Sequence, residues 1–574
     1  MTPQMTQQPP TLGPLGPALA EALPRLYGIK SDPLLAELIV ALSAALVRGE
    51  LHLPLDGAAP EGIVSVEHWP EGHRQALVRC GWIQSPQQPE PPADDSPPPL
   101  MLSERGVGWR RWLLLLESTM AELEQRAAAC VQPPLSSKRL QTAAQRAQRR
   151  GGLDSHQQAA VVALLSQGLV LLGGGPGTGK TSTIVQMLAA VLEERPGWRL
   201  HLAAPTGKAA ARLRQAIAAG GSTLPPDLAT QLTASPCTTL HRLLESRGEG
   251  FGRNRERPLA LDLLVVDEVS MLDLPLMAAL LEALPAEAQL LLVGDPDQLA
   301  PVGPGAVLQE LQLPARRQAL GDASIELSTT YRNDGALALA AGRLRRGDTP
   351  GFLQQLSLLE ASDNLSWWRC ASGRLPAELL ERLRAHQLQL AQLAARWSGD
   401  PEGLTQELLE EVERCVVLAP TRRGRWGVES LNQRLLGADW SRGPAGWPPG
   451  TPVLCGRNLP EQGLANGDVG VVVMAEGQRR LLFWGSQDPG EESNGGSGGA
   501  GERLRLVHPS RMAAAEAAFA ITIHKSQGSQ YQQVLVLMPE REGRWDQRLL
   551  YTALTRARQQ AVLITPEGQG WLPA

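Results

Sequence analysis

A glycine-rich segment at residues 174–181 has the residue types and spacing of a phosphate-binding loop, reading Gly-Gly-Pro-Gly-Thr-Gly-Lys-Thr. Glycines allow backbone N–H groups to turn toward phosphate oxygens at the start of a helix, where the helix dipole favours an anion. We expect Lys180 to reach the β- and γ-phosphates of ATP and the Thr181 hydroxyl to bind Mg²⁺. The predicted nucleotide contacts of this segment are Gly174, Gly175, Pro176, Gly177, Thr178, Gly179, Lys180, Thr181 and Ser182.

Two adjacent acids, Asp267 and Glu268, follow the apolar run at residues 263–266. We predict that Asp267 holds Mg²⁺ directly or through water, and that Glu268 orients and deprotonates the attacking water. An acid pair after a strand is commonly just a helix cap, so the catalytic interpretation depends on the phosphate-binding loop nearby. Together the two features predict hydrolysis of ATP rather than its storage.

The phosphate-binding loop and the acid pair must be positioned by strands that end next to each other. The sequence contains two series of short Val- and Leu-rich runs, separated by helical segments, that could form such strands. This texture is typical of a parallel sheet covered by helices on both faces. We therefore predict an α/β fold with two such units. The predicted strands are 169–172, 200–203, 263–266 and 290–293 in the first unit, and 415–418, 519–522, 534–537 and 561–564 in the second.

Further polar segments follow these strands. They lie at 203–210 (Ala-Ala-Pro-Thr-Gly-Lys-Ala-Ala), 292–299 (Leu-Val-Gly-Asp-Pro-Asp-Gln-Leu), 329–333 (Thr-Thr-Tyr-Arg-Asn), 518–528 (Ala-Phe-Ala-Ile-Thr-Ile-His-Lys-Ser-Gln-Gly) and 550–557 (Leu-Tyr-Thr-Ala-Leu-Thr-Arg-Ala). In order and spacing they resemble motifs Ia, III, IV, V and VI of the superfamily one helicases, and within that superfamily the RecD subunits of exodeoxyribonuclease V, the RecBCD complex. The resemblance extends from Leu153 to the C-terminus.

The resemblance implies two RecA-like P-loop domains and ATP-driven movement 5′ to 3′ on single-stranded DNA. It implies that Gln298 senses the γ-phosphate, and that Arg332 and Arg556 enter the site from the second domain as arginine fingers. It also places an adenine-reading glutamine before the phosphate-binding loop. Gln157 is our assignment, with its neighbour Gln158 as the alternative.

The resemblance further places a set of short hydroxyl, imidazole and ammonium groups along a DNA strand. Such donors suit phosphate contacts without base reading, which a motor that crosses every sequence requires. Two of these residues, His241 and His524, could equally be structural histidines. The implied DNA contacts are Thr206, Lys208, Thr239, His241, Thr522, His524 and Lys525. Since the chain has only 4 Phe and 4 Tyr, the aromatic residues near the motifs to test for base stacking are Trp426, Trp484, Tyr331 and Phe519.

We predict three domains along the chain. Residues 1–150 form a helical N-terminal partner-docking domain, and residues 151–340 form the first RecA-like domain with a short polar hairpin insertion at 245–260. Residues 341–574 form the second RecA-like domain, which carries a small SH3-like β-domain at 435–512. Within that insertion, the Gly- and Ser-rich tract at 486–501 is expected to be a loop. A basic cluster within 138–150 is interpreted as a solvated helix face in preference to a DNA contact.

Composition limits how this chain can meet nucleic acid. Lys and Arg total 54 against 59 Asp and Glu, a net charge of −5, so any DNA contact must be local. The six scattered cysteines have no zinc or redox spacing, which favours the cytoplasm, and no run of residues is long and apolar enough to span a membrane. No nuclease constellation is recognised, so any DNA cutting is expected from a partner chain. The resemblance implies a heterotrimer with a RecB-like helicase-nuclease and a RecC-like subunit. The alternatives are a free-standing RecD-like helicase, and a DNA-binding nucleotide switch or scaffold that does not translocate.

Overall fold

The computed structural model describes residues 15–84, 97–247, 250–329, 335–371, 374–399, 403–486, 502–512, 514–540, 545–568 and 570–572. Arg332 and Tyr331, and the predicted loop at 486–501 beyond Ser486, lie outside these residues. In the described part of the chain, no helix is long and apolar enough to cross a membrane. An N-terminal module precedes two parallel sheets, and the second sheet carries an antiparallel insertion.

The N-terminal module combines three helices with a three-stranded sheet. Asp32 begins its central helix by accepting hydrogen bonds from two backbone N–H groups, and Pro33 occupies the first turn, where a missing N–H costs nothing. Leu35, Leu38 and Leu77 lie in its core. The elements are α1 (Leu15–Leu26), α2 (Pro33–Val47), α3 (Glu71–Cys80), β1 (Ile83–Gln84), β2 (Leu100–Ser103) and β3 (Gly106–Trp109).

The first parallel sheet has six strands in the order β11-β4-β10-β9-β5-β6, and each of the four predicted strands is present. Its elements are α4 (Arg110–Ala128), α5 (Ser137–Gly151), α6 (Ser155–Ser166), β4 (Leu169–Gly174), α7 (Lys180–Glu194), β5 (Leu200–Ala204), α8 (Gly207–Gly221), α9 (Pro226–Ala234), β6 (Cys237–Thr239), α10 (Leu240–Leu243), β7 (Ser246–Arg247), β8 (Gly250–Phe251), β9 (Leu263–Val266), α11 (Leu274–Ala283), β10 (Gln289–Gly294), α12 (Val307–Leu311), α13 (Pro314–Leu320) and β11 (Ser324–Leu327). Strands β7 and β8 pair as an antiparallel hairpin within the predicted insertion.

The predicted boundary at residue 150 is wrong, because α4 and α5 belong to the core of this first sheet. On α4, Leu116, Met120 and Leu123 pack with the sheet residues Leu169 and Leu171 on one face. On the other face, α5 packs through small side chains against α6 and α7. A parallel sheet needs helices on both faces, and these two helices supply part of that cover.

The basic cluster of α5 faces acids of α7, which agrees with its interpretation as a helix surface. Arg139 and Arg150 lie 2.6 Å from Glu194 and Glu193, respectively, and Arg146 also pairs with Glu194. These ion pairs occupy three of the five basic side chains that could otherwise have met a DNA backbone.

The second parallel sheet has five strands in the order β12-β21-β20-β13-β19, and all four predicted strands of this unit are present. Its core already includes Ala336 and Leu337, so the unit begins at α14 rather than at residue 341. The elements of this unit are α14 (Ala336–Arg345), α15 (Thr349–Ser357), β12 (Leu365–Cys370), α16 (Ala377–Arg396), α17 (Leu404–Val412), β13 (Cys415–Ala419), α18 (Val428–Leu436), then the insertion, β19 (Ala520–Thr522), β20 (Tyr531–Leu537), α19 (Gln547–Leu554) and β21 (Ala557–Pro566).

The insertion is a five-stranded antiparallel sheet in the order β17-β16-β15-β14-β18. Its strands are β14 (Pro452–Cys455), β15 (Val469–Ala475), β16 (Gln478–Ser486), β17 (Glu502–Val507) and β18 (Ala515–Ala517). The predicted end at residue 512 falls short, because β18 closes the sheet by pairing with β14. The boundary was missed because three residues with two alanines carry no strand signal of their own.

Candidate nucleotide and DNA site

The phosphate-binding loop connects β4 to α7, as the motif requires. Gly177 and Gly179 both have φ of +78°, a left-handed conformation that L side chains rarely adopt. The Thr178 hydroxyl donates to the carbonyl oxygen of Gly175 at 2.8 Å. The Lys180 ammonium donates to the carbonyl oxygens of Gly174 and Gly175. The loop thus holds its lysine over the turn where phosphates are predicted to lie.

Asp267 and Glu268 follow β9, two strands away from β4 in the same parallel sheet. Burial, together with the adjacent Glu268 carboxylate, raises the pKa of Asp267 well above its usual range, and the Lys180 charge opposes this shift. Glu268 has φ of +54°, a strained position for a residue with a side chain. Such strain is typical of functional sites, and it turns the chain sharply after the strand.

Gln298 lies on the loop that follows β10, where it is buried beside Asp295. Its Nε2 donates to Asp295 Oδ2 at 3.2 Å, and the same oxygen accepts a hydrogen bond from the Tyr551 hydroxyl at 2.9 Å. Tyr551 belongs to α19 of the second unit, so this loop is in direct contact with that unit. The sequence motifs did not indicate this role for Tyr551.

The same loop makes two more hydrogen bonds to the second unit. The Leu299 N–H donates to Thr552 Oγ1 at 2.9 Å, and Gln527 Nε2 donates to the Leu299 carbonyl at 3.0 Å. Both partners lie in the segments predicted as motifs V and VI. The structure therefore joins the predicted motif III to both of them.

Arg556 is buried, and its guanidinium donates to carbonyl oxygens of its own unit, those of Thr552 at 3.2 Å and Ser529 at 3.3 Å. In this conformation the guanidinium is therefore held within the second unit. Its role as an arginine finger stays a prediction, as does that of Arg332, which lies outside the described residues.

Gln157 has a structural role in this conformation. Its Oε1 accepts a hydrogen bond from Asp154 N at 3.0 Å, and its own N–H donates to Asp154 Oδ1 at 2.9 Å, which together form a capping box at the start of α6. Gln158 donates to the carbonyl oxygen of Leu153 at 3.1 Å. The adenine-reading role of Gln157 remains a prediction.

Four of the seven predicted DNA contacts are either helix caps or members of ion pairs. The hydroxyls of Thr206 and Thr239 each accept a hydrogen bond from the third backbone N–H beyond them, so both residues cap helices. Lys208 and Lys525 are both ion-paired, with Glu413 at 2.6 Å and Glu516 at 2.7 Å. In this conformation a carboxylate therefore already neutralises the ammonium charge of each lysine.

The three remaining predicted contacts are differently placed. Thr522 Oγ1 accepts a hydrogen bond from Lys525 N at 3.4 Å. The His241 ring lies 6.3 Å from the Phe251 ring of the hairpin, which is consistent with the structural alternative. Burial lowers the pKa of His524, so its ring is neutral at pH 7.

His524 lines an open cavity of about 840 Å³ at the carboxyl ends of β13, β20 and β21. Ligands of open α/β sheets commonly bind at this edge. Arg423 and Trp426 reach the cavity from the loop after β13, and Trp545 reaches it from the segment before α19. Arg423 was missed by sequence reasoning, although its position just after a predicted parallel strand was the available signal.

The four residues selected for base stacking differ in their location and exposure in the structure. Trp426 lines the cavity but is only 5% exposed and packs in the core of the second unit, so little of its ring is available for stacking in this conformation. Trp484 on β16 has a relative exposure of 36%. Phe519 is only 1% exposed and packs in the core of the insertion, so it is wrong as a stacking residue. Tyr331 lies outside the described residues.

Comparison with known proteins agrees with this arrangement. Residues 157–304 match the AAA domain family, and residues 517–564 match the UvrD-like helicase C-terminal domain family. The RecBCD enzyme subunit RecD of Mycolicibacterium smegmatis is 37% identical over 432 residues, which cover 72% of this chain and 71% of that protein. The corresponding subunit of Haemophilus influenzae is 31% identical, with 72% and 69% covered.

A third relative, the ATP-dependent RecD2 DNA helicase of Deinococcus radiodurans, is 32% identical over 72% of this chain and 49% of its own length. The phosphate-binding loop, the acid pair after β9 and the Gln298 loop lie within residues 157–304, and Gln527, Tyr551 and Thr552 lie within residues 517–564, the two ranges that the family models match. The chain therefore belongs to the RecD family of ATP-dependent DNA helicases.

Proposed function

We propose that this helicase moves 5′ to 3′ on single-stranded DNA as the motor subunit of a RecBCD-like helicase-nuclease, which processes double-strand DNA ends for recombinational repair. The observation that carries the motor assignment is the contact between α19 of the second RecA-like unit and the nucleotide loops of the first. Because these loops touch the second unit directly, a change in the bound nucleotide can alter the angle between the units. The direction of movement follows from the family resemblance.

The chemistry of the site suits ATP with Mg²⁺. The Thr181 hydroxyl and the Asp267 carboxylate are hard oxygen ligands, which Mg²⁺ prefers, and the raised pKa of Asp267 is what a nearby cation would relieve. Mg²⁺ supplies charge neutralisation for the phosphoryl oxygens when it is bound. We propose that Lys180 binds the phosphates, that Glu268 activates water, and that Gln298, Arg332 and Arg556 respond to the γ-phosphate.

For DNA, we propose a path that runs past the ends of both parallel sheets. Thr206 and Thr239 lie on the first unit, and Thr522 and His524 lie on the second. Arg212 of α8 donates to the carbonyl oxygens of Gly528 and Gln530, at 2.8 and 3.0 Å, which holds the two halves of this path together. We also propose that Lys208, His241 and Lys525 contact DNA once the units rearrange, and that the inserted antiparallel sheet is an SH3-like domain.

We propose that the N-terminal module docks RecB-like and RecC-like subunits. The proposal is supported by the names of the RecD relatives. The similarity to the RecD2 helicase of Deinococcus radiodurans supports the alternative, a helicase that acts without these partners. Co-purification from the native cell separates the two: a larger helicase-nuclease in the complex supports docking, and recovery as a monomer overturns it.

Two assays test the motor assignment. Single-stranded DNA should raise the ATPase rate manyfold, and a rate indifferent to DNA would favour a nucleotide switch or scaffold. Partial duplexes with either a 5′ or a 3′ single-stranded overhang test direction. Unwinding from the 5′ overhang alone is expected, and unwinding from the 3′ overhang alone would overturn the assigned polarity.

A further inference from the structure

The Tyr551 hydroxyl joins the two RecA-like units through a buried carboxylate. It donates to Asp295 Oδ2 at 2.9 Å, and the relative exposures of the two residues are 3% and 1%. Tyr551 lies on α19 of the second unit, and Asp295 directly follows β10 of the first. Hydrogen bonds to a buried charged acceptor are among the strongest in proteins, so this contact is sensitive to how the two units are placed.

The same carboxylate oxygen sets the orientation of the Gln298 amide. Gln298 Nε2 donates to Asp295 Oδ2 at 3.2 Å, while Asp295 Oδ1 accepts from Asp297 N at 3.1 Å. Because Nε2 faces Asp295, Oε1 points the other way. Gln298 is 5% exposed, and its Oε1 has no hydrogen-bond partner among the described residues. A buried amide oxygen without a donor is costly, and at a nucleotide site it indicates a ligand group.

We propose that Tyr551 is a positioning residue for ATP hydrolysis, whose hydroxyl acts through Asp295 to hold the Gln298 amide in its working orientation only when the two units are closed. The inference rests on the proposed function, because it assumes that Gln298 responds to the γ-phosphate. When the second unit moves away, Asp295 loses one of its two side-chain donors and the Gln298 amide can turn. Closure thereby becomes a condition for fast hydrolysis.

The surroundings of Tyr551 suit a donor. Burial, and then the neighbouring Asp295 carboxylate, raise the pKa of Tyr551 well above its usual range, so the hydroxyl keeps its proton at neutral pH. The hydroxyl also lies close to the phosphate-binding loop: a Cβ atom added to Gly175 would be 3.1 Å from the hydroxyl oxygen. Direct contact of Tyr551 with the nucleotide is therefore the competing explanation, and the experiment must separate the two.

The test compares Tyr551→Phe with Tyr531→Phe in the full chain. Tyr531 is a matched control, since it is 2% exposed and its buried hydroxyl has no hydrogen-bond partner in the described part of the structure. Steady-state ATPase with saturating oligo(dT) gives kcat and KM, and ADP titration gives nucleotide affinity. We expect Tyr551→Phe to lower kcat roughly tenfold with KM and ADP affinity unchanged, and to lower the melting temperature, because the buried Asp295 carboxylate loses a donor. Tyr531→Phe should leave kcat, KM and ADP affinity unchanged, and it should not lower the melting temperature, because its hydroxyl makes no hydrogen bond in the described part of the structure.

Unchanged kcat in Tyr551→Phe would overturn the proposal, and so would a raised KM with normal kcat, which would indicate direct nucleotide contact. A double variant tests the route through Asp295. Tyr551→Phe combined with Asp295→Asn should hydrolyse ATP as fast as Asp295→Asn alone, whereas multiplied losses would mean that the tyrosine acts independently. Failure of the proposed function is distinct, since the wild-type chain would then show no stimulation by single-stranded DNA.

Discussion

Lys208 of the first RecA-like unit forms an ion pair with Glu413 of the second, with 2.6 Å between Nζ and Oε1. The ammonium also lies 5.3 Å from the centre of the Tyr531 ring. The sequence motifs place Lys208 on the DNA path, yet in this conformation its charge holds the two units together. A phosphate that reached Lys208 would have to compete with Glu413, so we predict that DNA binding at this residue would weaken the contact between the two units.

We expect Glu413→Gln to weaken this contact in a pH-dependent way. Burial raises the pKa of Glu413, but Lys208 and then Arg212 outweigh burial and hold the pKa below its usual range. The stabilisation is therefore present above the ordinary glutamate pKa and is lost as the pH falls through the lower folded-state value. Because the side chain is 39% exposed, water screens the pair, and a loss of only about 1 kcal/mol in the free energy of unfolding is expected at pH 7.

Thermal unfolding of this variant and the wild-type chain between pH 3 and pH 8 provides the measurement. The difference in melting temperature between the wild-type chain and Glu413→Gln should decrease as the pH falls. Glu21→Gln is a suitable control, because that acid forms only an exposed pair with Arg25. A gap that is constant over the whole pH range would contradict the assignment.

Lys180→Ala should reduce ATP hydrolysis at least about 100-fold, because the ammonium that stabilises charge on the phosphates is lost. The fold should persist, since Lys180 bonds only to carbonyl oxygens of its own loop in the described structure. Lys138→Ala, at an exposed position on α5, provides the control in the same ATPase assay. Normal turnover in Lys180→Ala would refute the site.

Arg126→Ala should destabilise the first RecA-like unit by about 3 kcal/mol. The guanidinium is only 7% exposed and donates to the carbonyl oxygens of Leu284, Pro285 and Ala288, which attaches α4 to the loop after α11. Denaturant unfolding measures the loss, and Arg25→Ala, at an exposed pair, should change stability by less than about 0.5 kcal/mol. A small effect of Arg126→Ala would contradict the inclusion of α4 in this unit.

Arg423→Ala should reduce the salt dependence of single-strand binding. Arg423 is 89% exposed at the cavity rim, and a phosphate contact there contributes about 0.7 to the slope of log affinity against log salt. His524→Asn should leave the slope unchanged, because burial lowers the pKa of His524 and keeps the ring neutral at pH 7. Fluorescence titration with oligo(dT) at several salt concentrations measures both slopes, and an unchanged slope for Arg423→Ala would exclude the cavity rim from the DNA path.

The predicted strands agree with the observed ones because a buried parallel strand requires a short run of apolar residues. Such a run can be recognised from neighbouring residues in the sequence alone. The domain boundary at residue 150 failed for the opposite reason. The apolar face of α4 shows that the helix is buried. The same face could pack equally well in the core of a separate N-terminal domain or against the first parallel sheet. Its actual partners, such as Leu169 and Leu171, are distant in sequence.

By itself, the sequence determined the phosphate-binding loop, the acid pair after β9, the two parallel units and the family, because each depends on residue types at short, regular spacings. Only the tertiary structure decided that Lys208 meets Glu413, that Gln157 caps a helix, that Phe519 is core and that Tyr551 shares Asp295 with Gln298. These contacts depend on how segments distant in sequence pack against each other. A local sequence pattern does not specify which side chains meet when those segments pack.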